Sequence, residues 1–135
     1  MVNGLRMRGV TLIELLVVIT IMMGVLGLIG SATLESIARA KAQTELISLH
    51  SLIKVASVRA FASGTGLILE FELNTVYLIV EGEIESQNRY EYLHFSDQIL
   101  GFNRSGFPNL QSVRVRVREN DRSIDLLALL NRAVT

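Results

Sequence analysis

The 135-residue chain contains no cysteine, and this absence excludes several kinds of chemistry at once. The chain can hold no disulfide framework, no thiolate metal site and no cysteine nucleophile. Its two histidines, His50 and His94, have no second histidine or paired carboxylate at the spacing of metal ligands, and no serine lies in a Gly-x-Ser-x-Gly motif. We therefore expect no enzyme activity, no metal site and no cofactor.

Charged residues are almost absent from one long stretch near the N-terminus. Residues 10–34 are nearly all apolar, and Glu14 is the only charge among them. At about 1.5 Å per residue, a helix of this length spans roughly 37 Å, which exceeds a hydrocarbon core of about 30 Å. Arg6 and Arg8 precede the run, and by the positive-inside rule they place the N-terminus in the cytoplasm. We predict a single membrane-spanning helix over residues 10–34, with the rest of the chain outside the cytoplasm.

The residues around Glu14 suggest why a carboxylate occurs in such a helix, where it costs about 3 kcal/mol at the bilayer centre. Gly9-Val10-Thr11-Leu12-Ile13-Glu14, between a basic leader and a long apolar run, resembles the processing site of the type IV pilin and pseudopilin superfamily. The resemblance implies that prepilin peptidase removes the leader, residues 1–9, by cutting between Gly9 and Val10, and then methylates the new amine. It also implies that Glu14 pairs with the amine of a neighbouring subunit and sets the axial register during assembly. Family members usually carry phenylalanine at the position of Val10, and this chain departs from that pattern.

Two other interpretations of this stretch stay open. In the first, Glu14 pairs with the amine of its own chain or lies protonated at an interface. In the second, the run is an ordinary secretory signal peptide, because Gly30-Ser31-Ala32 has the small residues that signal peptidase prefers. This alternative predicts a secreted soluble domain whose mature N-terminus lies near Ala32. Against it, the apolar run is longer than the usual 7 to 15 residues or so of a signal peptide.

The apolar pattern continues beyond residue 34 as a stripe at helical spacing. Its members are Leu34, Ile37, Ala38, Ala42, Leu46, Leu49, Ile53, Ala56 and Ala60. Gly64-Thr65-Gly66 follows the last of these residues and is a typical helix end. We predict one long helix from Val10 to Phe61, with an amphipathic half that belongs to residues 35–63.

From Gly66 onward the apolar periodicity is that of β-strands. Strands are predicted at Leu67–Leu73, Thr75–Val80, Tyr90–Phe95, Val113–Arg118 and, after a turn at Asn120–Arg122, Ile124–Leu130. The predicted fold class is α+β. A long N-terminal helix, transmembrane in its first half and amphipathic in its second, packs on a small and mostly antiparallel β head over residues 67–135, in a pilin-like arrangement.

This layout, with Gly101–Gly106 before a strand of alternating valine and arginine, is similar to that of the H-type minor pseudopilins of type II secretion and of related minor pilins. The resemblance implies a structural subunit of a type IV pilus or type II secretion filament, anchored in the inner membrane with a periplasmic head. The implied partners are other pilin or pseudopilin subunits, prepilin peptidase and the inner-membrane assembly platform.

The charges of the head are unevenly distributed along the chain. Six glutamates lie between residues 70 and 91, and five arginines lie between residues 104 and 122. This pattern fits complementary contacts between neighbouring heads, which would steer docking. It equally fits two solvated faces that keep the domain soluble.

The arginines of the valine-arginine strand support an alternative function. Side chains two apart on a strand share a face, so Arg114, Arg116 and Arg118 are predicted to form a cationic row about 7 Å from charge to charge, close to the phosphate spacing of a nucleic-acid strand. Arg104, Arg122 and Arg132 are further candidates to extend the row. A DNA-binding minor pilin for DNA uptake is therefore the second hypothesis. The competing explanation is that the arginines solvate an exposed face and protect a sheet edge.

Overall fold

The structure, a computed structural model, describes residues 9–132. The elements in chain order are α1 (Leu12–Ser63), β1 (Leu67–Leu73), β2 (Thr75–Val80), β3 (Glu83–Arg89), β4 (Leu93–Phe102), β5 (Ser112–Val117), β6 (Asn120–Asp125) and α2 (Leu126–Asn131). The predicted α+β class is confirmed, because one long N-terminal helix packs on an antiparallel sheet. By contact density the chain divides into two compact units, residues 1–38 and 39–135. Arg6, Arg8 and the rest of the predicted leader except Gly9 lie outside the described residues.

The first unit consists, in its described part, of the beginning of α1. The helix starts at Leu12, two residues later than predicted, and it continues without interruption through Gly24, Gly27 and Gly30. Each residue from 9 to 37 is exposed. By length and composition α1 is able to cross a membrane, as expected of the predicted membrane-spanning helix.

The second unit contains the rest of α1 and a six-stranded sheet in the order β3-β2-β1-β4-β5-β6. All five neighbouring pairs are antiparallel. The predicted helical stripe is confirmed within this unit, since its members from Ala42 to Ala60 are buried against the sheet. We call the face of the sheet that packs on α1 the inner face, and the opposite face the outer face.

The ends of α1, β1 and β2 agree with their sequence signals. The helix ends at Ser63, and Gly64 follows with a φ of 65°, the left-handed conformation that favours glycine at a helix end. Strands β1 and β2 have the predicted bounds. In β1, Leu67, Leu69 and Phe71 face inward, where the ring of Phe71 meets the edge of Phe95 at 5.1 Å between centroids.

Strand β3 is absent from the sequence prediction. Its sequence, EIESQNR, has no apolar alternation, and each of its residues is exposed. It is an edge strand that pairs with β2 through the turn at Glu81 and Gly82, where φ is 53° and 85°. Two successive positive φ values are typical of the tight turns that join twisted hairpin strands. This strand therefore forms through its tight turn and its backbone hydrogen bonds with β2, without burial of apolar side chains.

The C-terminal prediction is wrong in two respects. The predicted turn at Asn120–Arg122 is the start of β6, and the predicted strand Ile124–Leu130 is mostly the helix α2. The side chain of Asp125 accepts a hydrogen bond from the Ala128 backbone N–H at 3.2 Å and caps this helix. Leucine and alanine are strong helix formers, and Leu126 and Leu129 are buried at helical spacing. The continuous apolar run predicted a strand, but the Asp125 cap and the i, i+3 spacing of the buried leucines favour a helix.

Candidate functional site: the two ends of α1 and the faces of the head

Thr11 immediately precedes the long helix and lies between the predicted cleavage point and Glu14. Its hydroxyl accepts a hydrogen bond from the Glu14 backbone N–H at 3.3 Å, and its carbonyl accepts one from the Leu15 N–H at 3.2 Å. Thr11-x-x-Glu14 is the sequence of a capping box, in which the glutamate stands at the third helical position. The hydrogen bond from the Glu14 N–H to the Thr11 hydroxyl was not predicted from the sequence, although a threonine three residues before a glutamate is its signal.

Glu14 lies exposed on a helix surface that is otherwise apolar. The hydroxyls of Thr20 and Thr33 donate to carbonyl oxygens four residues earlier, at 2.7 and 2.8 Å, and Ser31 donates to the Leu28 carbonyl at 3.2 Å. These hydrogen bonds satisfy the hydroxyls within the helix. Gly9 and Val10 precede the first turn and are exposed as well. Because no other side chain from residue 10 to 34 is charged, Glu14 is the one ionic group available there for a partner.

The head half of α1 has a second apolar stripe in addition to the buried one. Ile47, Val55 and Val58 are each more than half exposed. At about 100° per residue, they lie roughly 180° around the helix from the stripe that contacts the sheet. Lys54, Val55, Val58 and Arg59 line a shallow apolar hollow on this side. We call Ile47, Val55 and Val58 the exposed stripe.

Three side chains in the head half of α1 bond the sheet or the loops that connect its strands. The carboxylate of Glu45 accepts hydrogen bonds from the backbone N–H groups of Glu91 and Tyr92, both at 2.7 Å. Ser57 donates to the carbonyl of Gly106 at 2.7 Å. Arg59 forms an ion pair with Glu85 of β3 at 2.7 Å. These contacts hold the buried stripe inward and leave the exposed stripe on the opposite side.

The outer face of the sheet has an apolar patch made of four isoleucines. Ile84, Ile79 and Ile68 are direct cross-strand neighbours on β3, β2 and β1. Ile99 on β4 pairs with Glu70, two residues along β1 from Ile68. We call Ile68, Ile79, Ile84 and Ile99 the isoleucine patch. Three of its members are 41 to 63% exposed, and Ile79 is half-buried.

An acidic hollow borders this patch. It has a volume of about 540 Å³ and is lined in part by Glu70, Glu72, Asp97 and Ile99. The hollow lies where the register of β1 and β4 shifts between Phe71 and Leu73. The two glutamates belong to the acidic half seen in the sequence, but only the strand pairing places Asp97 beside them.

A basic cleft lies at the other end of the outer face. Its volume is about 580 Å³, and its polar lining includes His94, Arg114, Arg116, Arg122 and Asp121. Strands β4 and β5 form three ladder pairs, and the last of them joins Phe95 to Val115. Beyond it, the side-chain amide of Gln98 bonds both the N–H and the carbonyl of Arg114. The side chain of Gln98 thus continues the ladder where the backbones diverge.

The predicted row of three arginines is wrong in its third member. Val113, Val115 and Val117 are buried as predicted, and Arg114 and Arg116 are exposed on the opposite side of β5. Arg118 instead lies after the strand, with a φ of 58°, and its N–H donates to the Tyr92 carbonyl. Arg116 forms an ion pair with Asp121 at 2.8 Å, which raises the pKa of the guanidinium and lowers that of the carboxyl.

Arg132 follows α2 and does not extend β5. It acts on His50, which is partly buried in α1. Burial lowers the pKa of His50, and the positive charges of Lys54 and Arg132 lower it further. Arg132 is therefore assigned to the side of the head that includes α1, and the structure gives no support for a continuous row with Arg114 and Arg116.

Comparisons with protein-family models, with curated proteins and with solved structures found no match. What this protein does must therefore be inferred from its own surfaces. Within residues 9–132, no group of three or more histidine, aspartate or glutamate side chains is placed to hold a metal ion.

Proposed function

We propose that this chain is a membrane-anchored structural subunit of a pilin-like or pseudopilin-like filament. The observation that carries the proposal is α1 itself, which has more apolar surface than its own head can cover. Its first part is exposed and apolar all round, and its head half keeps the exposed stripe opposite the sheet. A helix that is apolar on every side needs lipid or other helices around it. Lipid would cover the apolar first part of α1 before assembly, and neighbouring helices would cover it after assembly.

Glu14 supplies the polar contact of this assembly. Cleavage between Gly9 and Val10 would leave a cationic amine two residues before the first residue of α1. In a low-dielectric bundle, an unpaired ammonium and an unpaired carboxylate each cost several kcal/mol, and removing one partner from a buried pair costs about 3 to 5 kcal/mol. An incoming amine that meets the Glu14 of a neighbour removes both penalties. A subunit out of register would leave both charges buried, so this pair defines the axial step.

The first test is the mature N-terminus of the protein, determined by intact mass and terminal peptide sequencing from isolated membranes. The proposal expects a chain that begins at Val10 and is methylated on its amine. A start near Ala32 would establish a secreted domain with an ordinary signal peptide, and an uncut chain would establish a simple membrane anchor. Either result overturns the assembly role of Glu14.

Glu14 variants separate its charge from its capping role. Glu14→Gln keeps a side chain that suits a capping box and removes the charge, whereas Thr11→Ala removes the cap and keeps the charge. We expect Glu14→Gln to be processed normally and to be lost from sheared filament fractions. Thr11→Ala should lower helix stability by about 1 kcal/mol and still enter filaments. The reverse pattern, with Glu14→Gln incorporated and Thr11→Ala excluded, would show that Glu14 serves only the helix start.

The basic cleft favours DNA binding as a second candidate function, because Arg114, Arg116 and Arg122 line one hollow. Full-length protein in detergent should then bind a labelled DNA duplex at low salt. Arg114→Ala should reduce the salt slope by about one unit if that residue contacts one phosphate. Asp121→Asn should strengthen binding, since it releases Arg116 from its ion pair. Arg104→Ala, in the loop after β4, is the matched control, and absence of binding at low salt would eliminate this function.

A further inference from the structure

Two apolar surfaces of the head are left uncovered by the residues that the structure describes, 9–132, and they lie on opposite sides. One is the exposed stripe of α1 and the other is the isoleucine patch on the outer face of the sheet. Buried core residues of α1 and of the inner face separate them. Exposed apolar patches of this kind, unlike scattered single residues, mark surfaces that bind another molecule.

The charges around the two surfaces have opposite sign. Lys54 adjoins the exposed stripe and lines the same shallow hollow as Val55 and Val58. The isoleucine patch is bordered by the carboxylates of Glu70, Glu72 and Asp97. Such complementarity steers docking and selects the partner, while the apolar centre supplies most of the stabilisation.

We propose that the exposed stripe of one copy docks on the isoleucine patch of the next copy, with Lys54 against the acidic hollow. This inference rests on the proposed function in one respect, namely that the molecule bound at each surface is a second copy of this chain. The two surfaces are different and face opposite ways, so the contact is heterologous and leaves one free surface of each kind at the ends of a row. Repetition of the contact extends an open row of heads, which is the symmetry that a filament needs.

The absence of native cysteine allows a direct test with full-length chains in membranes. Two differently tagged versions are expressed together, one with Val55→Cys and the other with Ile68→Cys, Ile79→Cys or Ile99→Cys, and mild oxidation follows. We expect a disulfide between the two versions for at least one patch position, and no disulfide within either version alone. Val55→Cys with Leu127→Cys is the matched control, because Leu127 on α2 is similarly exposed but lies outside both surfaces.

Charge exchange then tests the complementarity. Lys54→Glu in the first version should slow the cross-link about two- to five-fold, as expected for a partly exposed ion pair. Glu70→Lys in the second version should restore the rate, although Glu70→Lys alone should slow it. If the cross-link forms as slowly with both substitutions as with either one alone, the pairing of these two surfaces is overturned.

Cross-links within one version, Val55 to Val55 or Ile68 to Ile68, would overturn the heterologous contact in favour of a two-fold dimer. Chains that start at Val10 and enter filaments but give no cross-link to any patch position would overturn this head contact and leave the proposed function intact. Cross-links in chains that are never processed would support the contact and overturn the proposed function.

Discussion

Glu45 is the contact through which the stability of the head can be tested most directly. Its half-buried carboxylate accepts two backbone hydrogen bonds at 2.7 Å from the segment between β3 and β4. Hydrogen bonds to a charged acceptor contribute about 1.5 to 3 kcal/mol each, and water at this partly exposed site replaces some of that. We therefore expect Glu45→Ala to lower the free energy of unfolding by about 2 to 3 kcal/mol. Glu45→Gln, which keeps one acceptor oxygen but turns an amide N–H towards the other donor, should cost about 1 to 2 kcal/mol.

Denaturant unfolding of the full-length protein in detergent measures this loss. The chain has no tryptophan, and its three tyrosines are all in the head, so tyrosine emission reports unfolding of the head alone. Hydrogen exchange of the peptide that contains Glu91 and Tyr92 should accelerate in parallel, because their N–H groups lose their acceptor. Glu119→Ala, in the exposed turn before β6, is the control and should stay within about 0.5 kcal/mol of the wild type. An equally small change for Glu45→Ala would refute the role of this carboxylate in joining α1 to the sheet.

Three further predictions use the same unfolding assay. Gly106→Ala should cost about 2 to 4 kcal/mol, because φ is 79° and the added Cβ would lie 2.8 Å from the Ser57 carbonyl oxygen. Gly82→Ala, with φ of 85° but no atom near its Cβ, should cost only the backbone part, about 1 to 2 kcal/mol. Burial and two neighbouring cations lower the pKa of His50, so near pH 6 the unfolded chain binds more protons than the folded chain. Stability should therefore fall as the pH drops below about 6.5. His50→Gln should flatten this pH dependence. Asp125→Ala should lower stability by about 1 kcal/mol through loss of the α2 cap, whereas Asp125→Asn should be nearly neutral.

The parts of the fold that the sequence predicts correctly are those where a period repeats over several turns or residues. The helical stripe from Ala42 to Ala60 and the alternation in β1 and β5 each place apolar side chains on one face, and each face is buried. Two of the errors occur where local structure competes with that signal. Asp125 converts an apolar run into a capped helix, and the positive φ of Arg118 ends a strand that alternation alone would extend.

The surfaces of the head could not be predicted in the same way, because they depend on strand register. Ile68, Ile79 and Ile84 lie in three strands, and one of these strands has no hydrophobic pattern to reveal it. A shift of one residue in any pairing would move its isoleucine to the inner face. The same holds for Asp97, which joins Glu70 and Glu72 only because β4 pairs with β1 in this register.

Hydrophobicity and side-chain size together explain which stripe of α1 faces the sheet. The buried stripe is apolar throughout, whereas Ser51 lies between Ile47 and Val55 on the exposed side. The buried stripe includes Ala42, Ala56 and Ala60, whose small side chains let the helix axis approach the strands, with leucine and isoleucine filling the spaces between them. The exposed stripe has only β-branched residues, Ile47, Val55 and Val58, which would hold the helix farther from the sheet. Turning α1 half a revolution would therefore both open gaps beside the inner face and bury Lys54, so the exposed stripe remains available to another molecule.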